Sequence, residues 1–150
     1  MMLRMILGAV YTAMAVGQAA SWRRMSGILD AYDLLPAGVS PWLAGVVIAG
    51  EVVCGVWFLA RPRSHALTPV WVYTAVSAVW AILGAQAYLR GVSVANCGCF
   101  GIYLSQRLSA FVLAQDALLL LYAAIMIRSG LRARHAAANA AADRGEVTAR

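Results

Sequence analysis

Long apolar stretches separated by short polar connections run through most of this chain. Four stretches, residues 3–21, 42–60, 67–89 and 108–127, reach the ~20 mainly apolar residues that cross a bilayer. Because hydrocarbon offers the backbone no hydrogen-bond partner, each span is predicted to be a helix. Short connections make successive helices antiparallel neighbours. The pattern predicts an all-α fold, an integral membrane four-helix bundle with short loops.

The first connection has a helical pattern of its own. Apolar side chains recur in WRRMSGILDAYDLLPAGVSPW at Met25, Ile28, Leu29 and Tyr32. This spacing predicts a short helix lying in the membrane interface. Pro36 follows and is expected to end it.

The chain is predicted to form one membrane domain, residues 1–130, and a tail. Residues 131–150 are alanine-rich and polar without an apolar stripe, so the tail is expected to be disordered. In the loop RPRSHALTP, His65 is expected to be solvated and not a metal ligand. No zinc-type cysteine spacing and no Ser/His/Asp set appears, which disfavours a zinc site and hydrolysis.

Composition agrees with a membrane protein, since 63% of the residues are hydrophobic and 12% are charged, about half the usual charged share. The net charge is +6, but the cations are arginines at span ends, which disfavours nucleic-acid binding. The antiparallel spans divide these arginines between the two sides of the membrane. Six fall on the side of the termini: Arg4, Arg61, Arg63, Arg128, Arg132 and Arg134. Four fall on the other side: Arg23, Arg24, Arg90 and Arg107.

This asymmetry predicts the topology of the chain. By the positive-inside tendency both termini are cytoplasmic, and the connections 22–41 and 90–107 face the exterior of the cell membrane. The first span also resembles a secretory signal, and its removal would leave three spans without moving residues 90–107 to the other side.

Two cysteines in that outer connection, Cys97 and Cys99, flank Gly98. Residues i and i+2 are close enough for a disulfide, and glycine makes the turn easy. As a staple the bond would be weak, about 1.6 kcal/mol for a three-residue ring. An exposed and strained disulfide is instead labile, and is suited to passing electrons. If the flanking Arg90 and Arg107 approached the pair, their positive charge would favour the thiolate form of a cysteine.

Three interpretations of the pair stay open: redox exchange, binding of a soft metal such as Cu(I), and inert thiols or a passive bridge. The third cysteine, Cys54, falls ~18 Å below the outer boundary by helical rise, too deep to join them. It is expected to be a packing residue.

Two acids interrupt the spans at a common depth. Glu51 and Asp116 each lie ~13 Å inward by helical rise. If the second and fourth spans are neighbours, the two carboxyls could meet and share a proton. The alternative is a hydrogen bond to Gln18, Gln86 or Gln115, or to tyrosine. Both acids are candidates for a proton or quinone site.

The run YLRGVSVANCGCFG before a span carrying Asp116, with LDAYDLLP before a span bearing Glu51, resembles the MauE branch of the MauE/DoxX membrane proteins. The resemblance covers about residues 3–128, and CGCFG is its most specific part. It implies a role in disulfide redox outside the cytoplasm, because MauE is needed to mature a disulfide-rich subunit of methylamine dehydrogenase. It also implies that Cys97 and Cys99 are the redox pair and that Phe100 and Gly101, beside Gly98, shape the motif.

These observations lead to one main hypothesis and two alternatives. The main hypothesis is a membrane thiol-disulfide redox protein, possessing oxidoreductase activity, whose CGC pair serves an exported thioredoxin-like or disulfide-containing protein. No cofactor is evident, and a membrane quinone or a second redox protein would receive the electrons. The alternatives are a non-catalytic assembly factor, or subunit, for an exported redox protein and a soft-metal carrier.

Overall fold

The computed structural model describes residues 2–36, 38–64 and 66–148, and this part of the chain contains helices and no strand. His65, expected to be a solvated loop residue, lies outside the described residues. The helices are α1 (Met2–Ala20), α2 (Trp22–Asp30), α3 (Ser40–Ala60), α4 (Thr68–Leu89) and α5 (Ala110–Thr148). Helices α1, α3 and α4 and the segment Ala110–Ala140 of α5 are long and apolar enough to cross a membrane. The prediction of an all-α fold with four spans is confirmed.

Helix α5 continues beyond its apolar part. The sequence separates a membrane domain that ends at residue 130 from a tail, whereas the backbone stays helical to Thr148. The division into domain and tail, and the expected disorder of the tail, stay predictions.

The helices pack in the order α1, α3, α4, α5. Helix α3 packs against α1 and α4, and α5 packs against α4. Tyr11 of α1 also reaches α4, where its hydroxyl lies 2.6 Å from Ser77 Oγ and its ring centroid lies 4.9 Å from that of Tyr73. Within the described residues, no Cα atom of α5 comes within 8 Å of one in α1 or α3. The backbones of α1 and α5 are therefore not in close contact.

Glycines let α1 and α3 approach closely. A Cβ atom at Gly55 would lie 2.7 Å from Thr12 Oγ1, and one at Gly8 would lie 3.1 Å from the Gly55 carbonyl oxygen. On the other side of α3, a Cβ atom at Gly50 would lie 2.6 Å from a Val76 methyl group. These small residues are used for contacts inside the bundle.

The short helix predicted in the first connection is present as α2, but its apolar face packs on protein. Met25 and Leu29 are fully buried, and α2 lies against α3. Arg90, at the end of α4, forms an ion pair of 2.9 Å with Asp33 and thereby joins this connection to the one that carries the cysteines. At the opposite end of the bundle, Arg4 donates a hydrogen bond to the Ser64 carbonyl.

The connection between α4 and α5 folds back on itself. The Cys97 N–H donates to the Gln106 carbonyl at 2.8 Å, and the Leu108 N–H donates to the Val94 carbonyl at 3.0 Å. These bonds bring the two ends of the segment together and hold the CGC turn between them.

Candidate functional site

The CGC turn depends on two glycines in the left-handed region of backbone conformation. Gly98 has a φ of +85° and Gly101 has a φ of +62°, values that L side chains rarely adopt. A Cβ atom at Gly98 would also lie 2.7 Å from an Ile28 methyl group of α2. One at Gly101 would lie 2.6 Å from the Gly17 carbonyl oxygen of α1. The sequence therefore needs glycine at both positions for conformation and for space.

Asn96 closes the turn with its side chain. Its Oδ1 accepts a hydrogen bond from the Gly98 N–H at 3.0 Å, and its Nδ2 donates to the Gly101 carbonyl at 2.8 Å. The Gly101 N–H donates to the Gly98 carbonyl at 2.9 Å. Sequence reasoning missed Asn96, although an asparagine two residues before a glycine is typical of such a turn and could have revealed it.

The two sulfurs of the turn lie 3.4 Å apart and are free thiols. This distance exceeds the ~2.05 Å of a covalent disulfide. Cys97 is 2% exposed and Cys99 is half-buried. The sequence predicts an exposed pair, and this is wrong for Cys97 because the turn points inward beneath Met25 and Ile28 of α2.

Side chains from other segments hold both cysteine carbonyls. The Tyr32 hydroxyl donates to the Cys97 carbonyl at 2.7 Å, and Gln18 Nε2 of α1 donates to the Cys99 carbonyl at 2.9 Å. The sequence identifies Tyr32 only as part of an apolar stripe. Its hydroxyl is a missed contributor to the site, and a buried tyrosine usually finds such a partner.

The two thiols differ in acidity. The pKa of Cys97 is lowered to about 7, because the Cys99 thiol donates a hydrogen bond to its thiolate and the Cys99 backbone N–H adds another. The pKa of Cys99 is raised, because that hydrogen bond holds its proton and because burial disfavours its charge. Cys97 is therefore the thiolate of the pair near neutral pH.

The flanking arginines do not stabilise this thiolate. The Arg90 guanidinium binds the Asp33 carboxylate and carbonyl. Within the described residues, no hydrogen bond or ion pair joins Arg107 to either cysteine. The approach that would let these cations favour the thiolate is not formed by Arg90, which has an acid partner, Asp33, in the connection after α2. The neighbouring thiol supplies the stabilisation.

Glu51 lies in the bundle directly behind the turn. It is fully buried, and its Oε1 accepts hydrogen bonds from Gln18 Nε2 at 3.1 Å and from Trp80 Nε1 at 3.0 Å. Its Oε2 has no partner among the described residues. Gln18 therefore contacts both the acid and the Cys99 carbonyl. Of the partners considered from the sequence, Gln18 is the one that Glu51 uses.

Asp116 does not meet Glu51. Helix α4 packs against both α3 and α5, and no Cα atom of α3 comes within 8 Å of a Cα atom of α5 in the described chain. No hydrogen bond joins the two carboxyls. The arrangement in which they share a proton is thus not formed, because α4 separates their helices.

Asp116 lines a crevice between α1 and α5 instead. The crevice has a volume of about 280 Å³ and reaches the Cys99 side chain. Phe100, assigned to the motif from the sequence, forms part of its wall together with Trp80 of α4. The remaining lining residues are mainly apolar: Val10, Met14, Gln106, Val112, Gln115, Leu118 and Leu119.

No group of three or more His, Cys, Asp and Glu side chains that could hold a metal ion occurs in the described residues. A soft metal at the turn would therefore have the two thiols as its protein ligands. A two-thiolate site suits only ions that accept low coordination.

The fold and the turn define a multi-pass membrane protein with a close thiol pair where two of its connections meet. The model of one family, described as methylamine utilisation protein MauE, matches residues 1–129. The chain belongs to the MauE family, and the resemblance noted in the sequence is confirmed for MauE. A search of curated proteins and a search of solved structures found no significant match.

Proposed function

We propose that this MauE-family protein is a membrane thiol-disulfide redox protein in which Cys97 and Cys99 cycle between dithiol and disulfide. The observation that carries the proposal is the 3.4 Å separation of the two sulfurs in a turn with both cysteine carbonyls anchored. A disulfide requires an approach of roughly 1.4 Å, from 3.4 Å to ~2.05 Å. The acidity difference also supports exchange, since one thiol is ionised near neutral pH.

The different exposures of the two cysteine residues support different roles for their sulfurs. A client thiolate attacks the Cys99 sulfur of the disulfide, since Cys99 is the less buried residue of the pair, and the attack breaks the S–S bond and releases Cys97 as a thiolate. Cys97 suits this role because a sulfur of lower pKa leaves faster. A second client thiolate then attacks the client sulfur of the mixed disulfide, and Cys99 departs and takes up a proton. The client loses two electrons and the CGC pair gains two.

The client in this proposal is an exported disulfide-containing or thioredoxin-like protein. Outward orientation of the turn is supported by the arginine distribution, which assigns both termini to the cytoplasm. The family description supports a role linked to methylamine utilisation. Reoxidation of the pair requires an electron acceptor, either a membrane quinone or a second redox protein.

Trapping of mixed disulfides tests the proposal. When the client is supplied in its disulfide form, the Cys99 thiolate of a Cys97→Ser variant attacks that disulfide and frees one client thiol. The variant lacks the Cys97 thiol that would release the client by closing the CGC disulfide, so it should accumulate a client joined through Cys99. The double variant Cys97→Ser, Cys99→Ser should trap nothing and should leave the client reduced. Cys54→Ser is the matched control, because Cys54 is a fully buried thiol of α3.

The alternatives give different results in the same experiment. An assembly factor would co-purify with its client and leave client oxidation unchanged in the double variant, which contradicts the redox proposal. A metal carrier would bind stoichiometric copper or another soft metal through both thiols, without mixed disulfides.

A further inference from the structure

The crevice is lined by residues of two membrane spans, α1 and α5. Both helices are membrane spans, and within the described residues none of their Cα atoms approach within 8 Å. Asp116 is the seventh residue of α5, which places it ~9 Å along the helix from Ala110 by helical rise. The acid therefore lies at a depth that a molecule dissolved in the bilayer can occupy.

The crevice combines apolar walls with an unsatisfied acid. Asp116 is 6% exposed, and no hydrogen bond or ion pair joins its side chain to the described residues. A carboxyl that is buried at membrane depth without a partner is costly and indicates a functional role. Because Asp116 lines the crevice, its unused hydrogen-bonding capacity is available to a ligand there.

Cys99 brings redox chemistry to the same space. Its side chain lines the crevice with the Phe100 and Trp80 rings, and its Sγ lies 3.4 Å from Cys97 Sγ. Apolar pockets with a few convergent polar groups are typical ligand sites, at about 300–1,000 Å³ for drug-sized molecules. A volume of about 280 Å³ suits one substituted ring.

We propose that this crevice binds the ring of a lipid-soluble quinone, which accepts the electrons of the Cys97–Cys99 dithiol. This inference rests on the proposed function, because it names the electron acceptor for the same thiol pair. The Cys99 S–H bond breaks and an S–S bond forms between Cys99 and the Cys97 thiolate. The two electrons pass to the quinone, whose two oxygens take up the Cys99 proton and one proton that Cys97 has already lost to water, which gives a quinol. Asp116 donates a proton to one of these oxygens and regains one from the thiols.

The chemistry of the lining favours a quinone over a lipid acyl chain. An acyl chain would occupy the apolar walls but could not use the Asp116 carboxyl or oxidise a thiol. A quinone ring stacks against aromatic side chains such as Phe100, its carbonyl accepts a hydrogen bond, and its isoprenoid tail extends between α1 and α5 into lipid. A quinone therefore matches the apolar walls of the crevice, the Asp116 carboxyl and the Cys99 thiol.

The test uses the reduced full-length Cys54→Ser protein in lipid nanodiscs, mixed anaerobically with a short-chain ubiquinone. We expect one quinol to form as each chain loses its two free thiols. Val112→Phe narrows the crevice and Asp116→Asn removes the proton donor, and each should slow quinol formation by about tenfold or more. The control Val46→Phe adds the same bulk to an exposed α3 position, where Val46 is 68% exposed, and should leave the rate unchanged.

Photo-crosslinking locates the bound ring independently of turnover. An azidoquinone should label α5 peptides around residues 112–119 and α1 peptides around residues 10–14, and excess ubiquinone should abolish the labelling. Labelling only of lipid-facing α3 would overturn the inference. So would equal quinol formation in the wild type, Val112→Phe and Asp116→Asn.

A second reaction separates this inference from the proposed function. In the same nanodiscs, the oxidised pair is reduced by dithiothreitol and counted by thiol alkylation. If the pair exchanges with dithiothreitol but the wild type does not reduce quinone, the crevice inference is wrong and the redox pair stands. If the pair exchanges with neither reagent, both proposals are wrong.

Discussion

Gln18 hydrogen-bonds the Cys99 carbonyl and thereby joins the CGC turn to the interior of the bundle. Its Nε2 lies 2.9 Å from that carbonyl oxygen and 3.1 Å from Glu51 Oε1. The position of the turn therefore depends on a side chain of α1 that also holds the buried acid of α3. Disturbance of this amide should affect stability and thiol reactivity together.

Substitution Gln18→Leu removes both hydrogen bonds while keeping most of the volume. The buried Cys99 carbonyl and Glu51 Oε1 each lose a donor, which should lower the free energy of unfolding in detergent by about 1–3 kcal/mol. Alkylation of Cys99 should accelerate, because the turn is held less firmly. Thr74→Val is the control, since the Thr74 hydroxyl bonds only within α4, to Val70. Unchanged unfolding and alkylation would show that the amide does not anchor the turn.

Gly98→Ala should disturb the turn by a clash as well as by backbone strain. A left-handed residue other than glycine costs about 1–2 kcal/mol, and the new Cβ would lie 2.7 Å from Ile28. Gly91→Ala is a matched control, because Gly91 has a φ of +70° and no neighbour within 4 Å of a Cβ. Alkylation rates should change in Gly98→Ala alone, and Ile28→Ala should partly restore them. Equal effects at both glycines would show that strain alone matters.

Tyr32→Phe removes the donor to the Cys97 carbonyl without removing the ring. The expected loss in the free energy of unfolding is about 1–2 kcal/mol, from a buried carbonyl left without its side-chain donor. Tyr88→Phe serves as the control, because Tyr88 is 48% exposed. The measurement is the difference between the two denaturation midpoints. A Tyr32→Phe midpoint equal to that of Tyr88→Phe would contradict the assigned hydrogen bond.

The alkylation rate should report the ionisation of Cys97 as pH changes. Because the Cys97 pKa is lowered to about 7, the thiolate fraction and the rate should rise through a midpoint near pH 7 in a Cys54→Ser background. Cys99→Ala removes the main hydrogen-bond donor, so the midpoint should move upward toward an ordinary thiol value of about 8.5. A midpoint that is unchanged in Cys99→Ala would show that the neighbouring thiol is not the cause.

The sequence predicts the four spans well because their formation depends on local composition. Each apolar segment must form a helix in lipid whatever its neighbours are. The CGC turn is similarly local, since Gly98 and Gly101 permit its backbone conformation. The same reasoning could have identified Asn96, because its side chain hydrogen-bonds only to the nearby Gly98 and Gly101.

The order of helices around the bundle could not be predicted in this way. Whether α3 and α5 are neighbours depends on side-chain packing between segments distant in sequence, and α4 lies between them. The meeting of Glu51 and Asp116, which required α3 and α5 to be neighbours, is not formed for this reason. The burial of Cys97 could not be predicted from the sequence either. It depends on Ile28 and Met25 of α2, which cover a turn about seventy residues later in the chain.

The most direct test of the account is alkylation-shift trapping in intact cells with a membrane-impermeant thiol reagent, in a Cys54→Ser background. We predict that the disulfide of Cys97 and Cys99 is found during client oxidation, and that mild reduction converts it to two thiols that the external reagent labels. Thiols that never become oxidised, or that are labelled only after the cytoplasm is opened, would contradict the account.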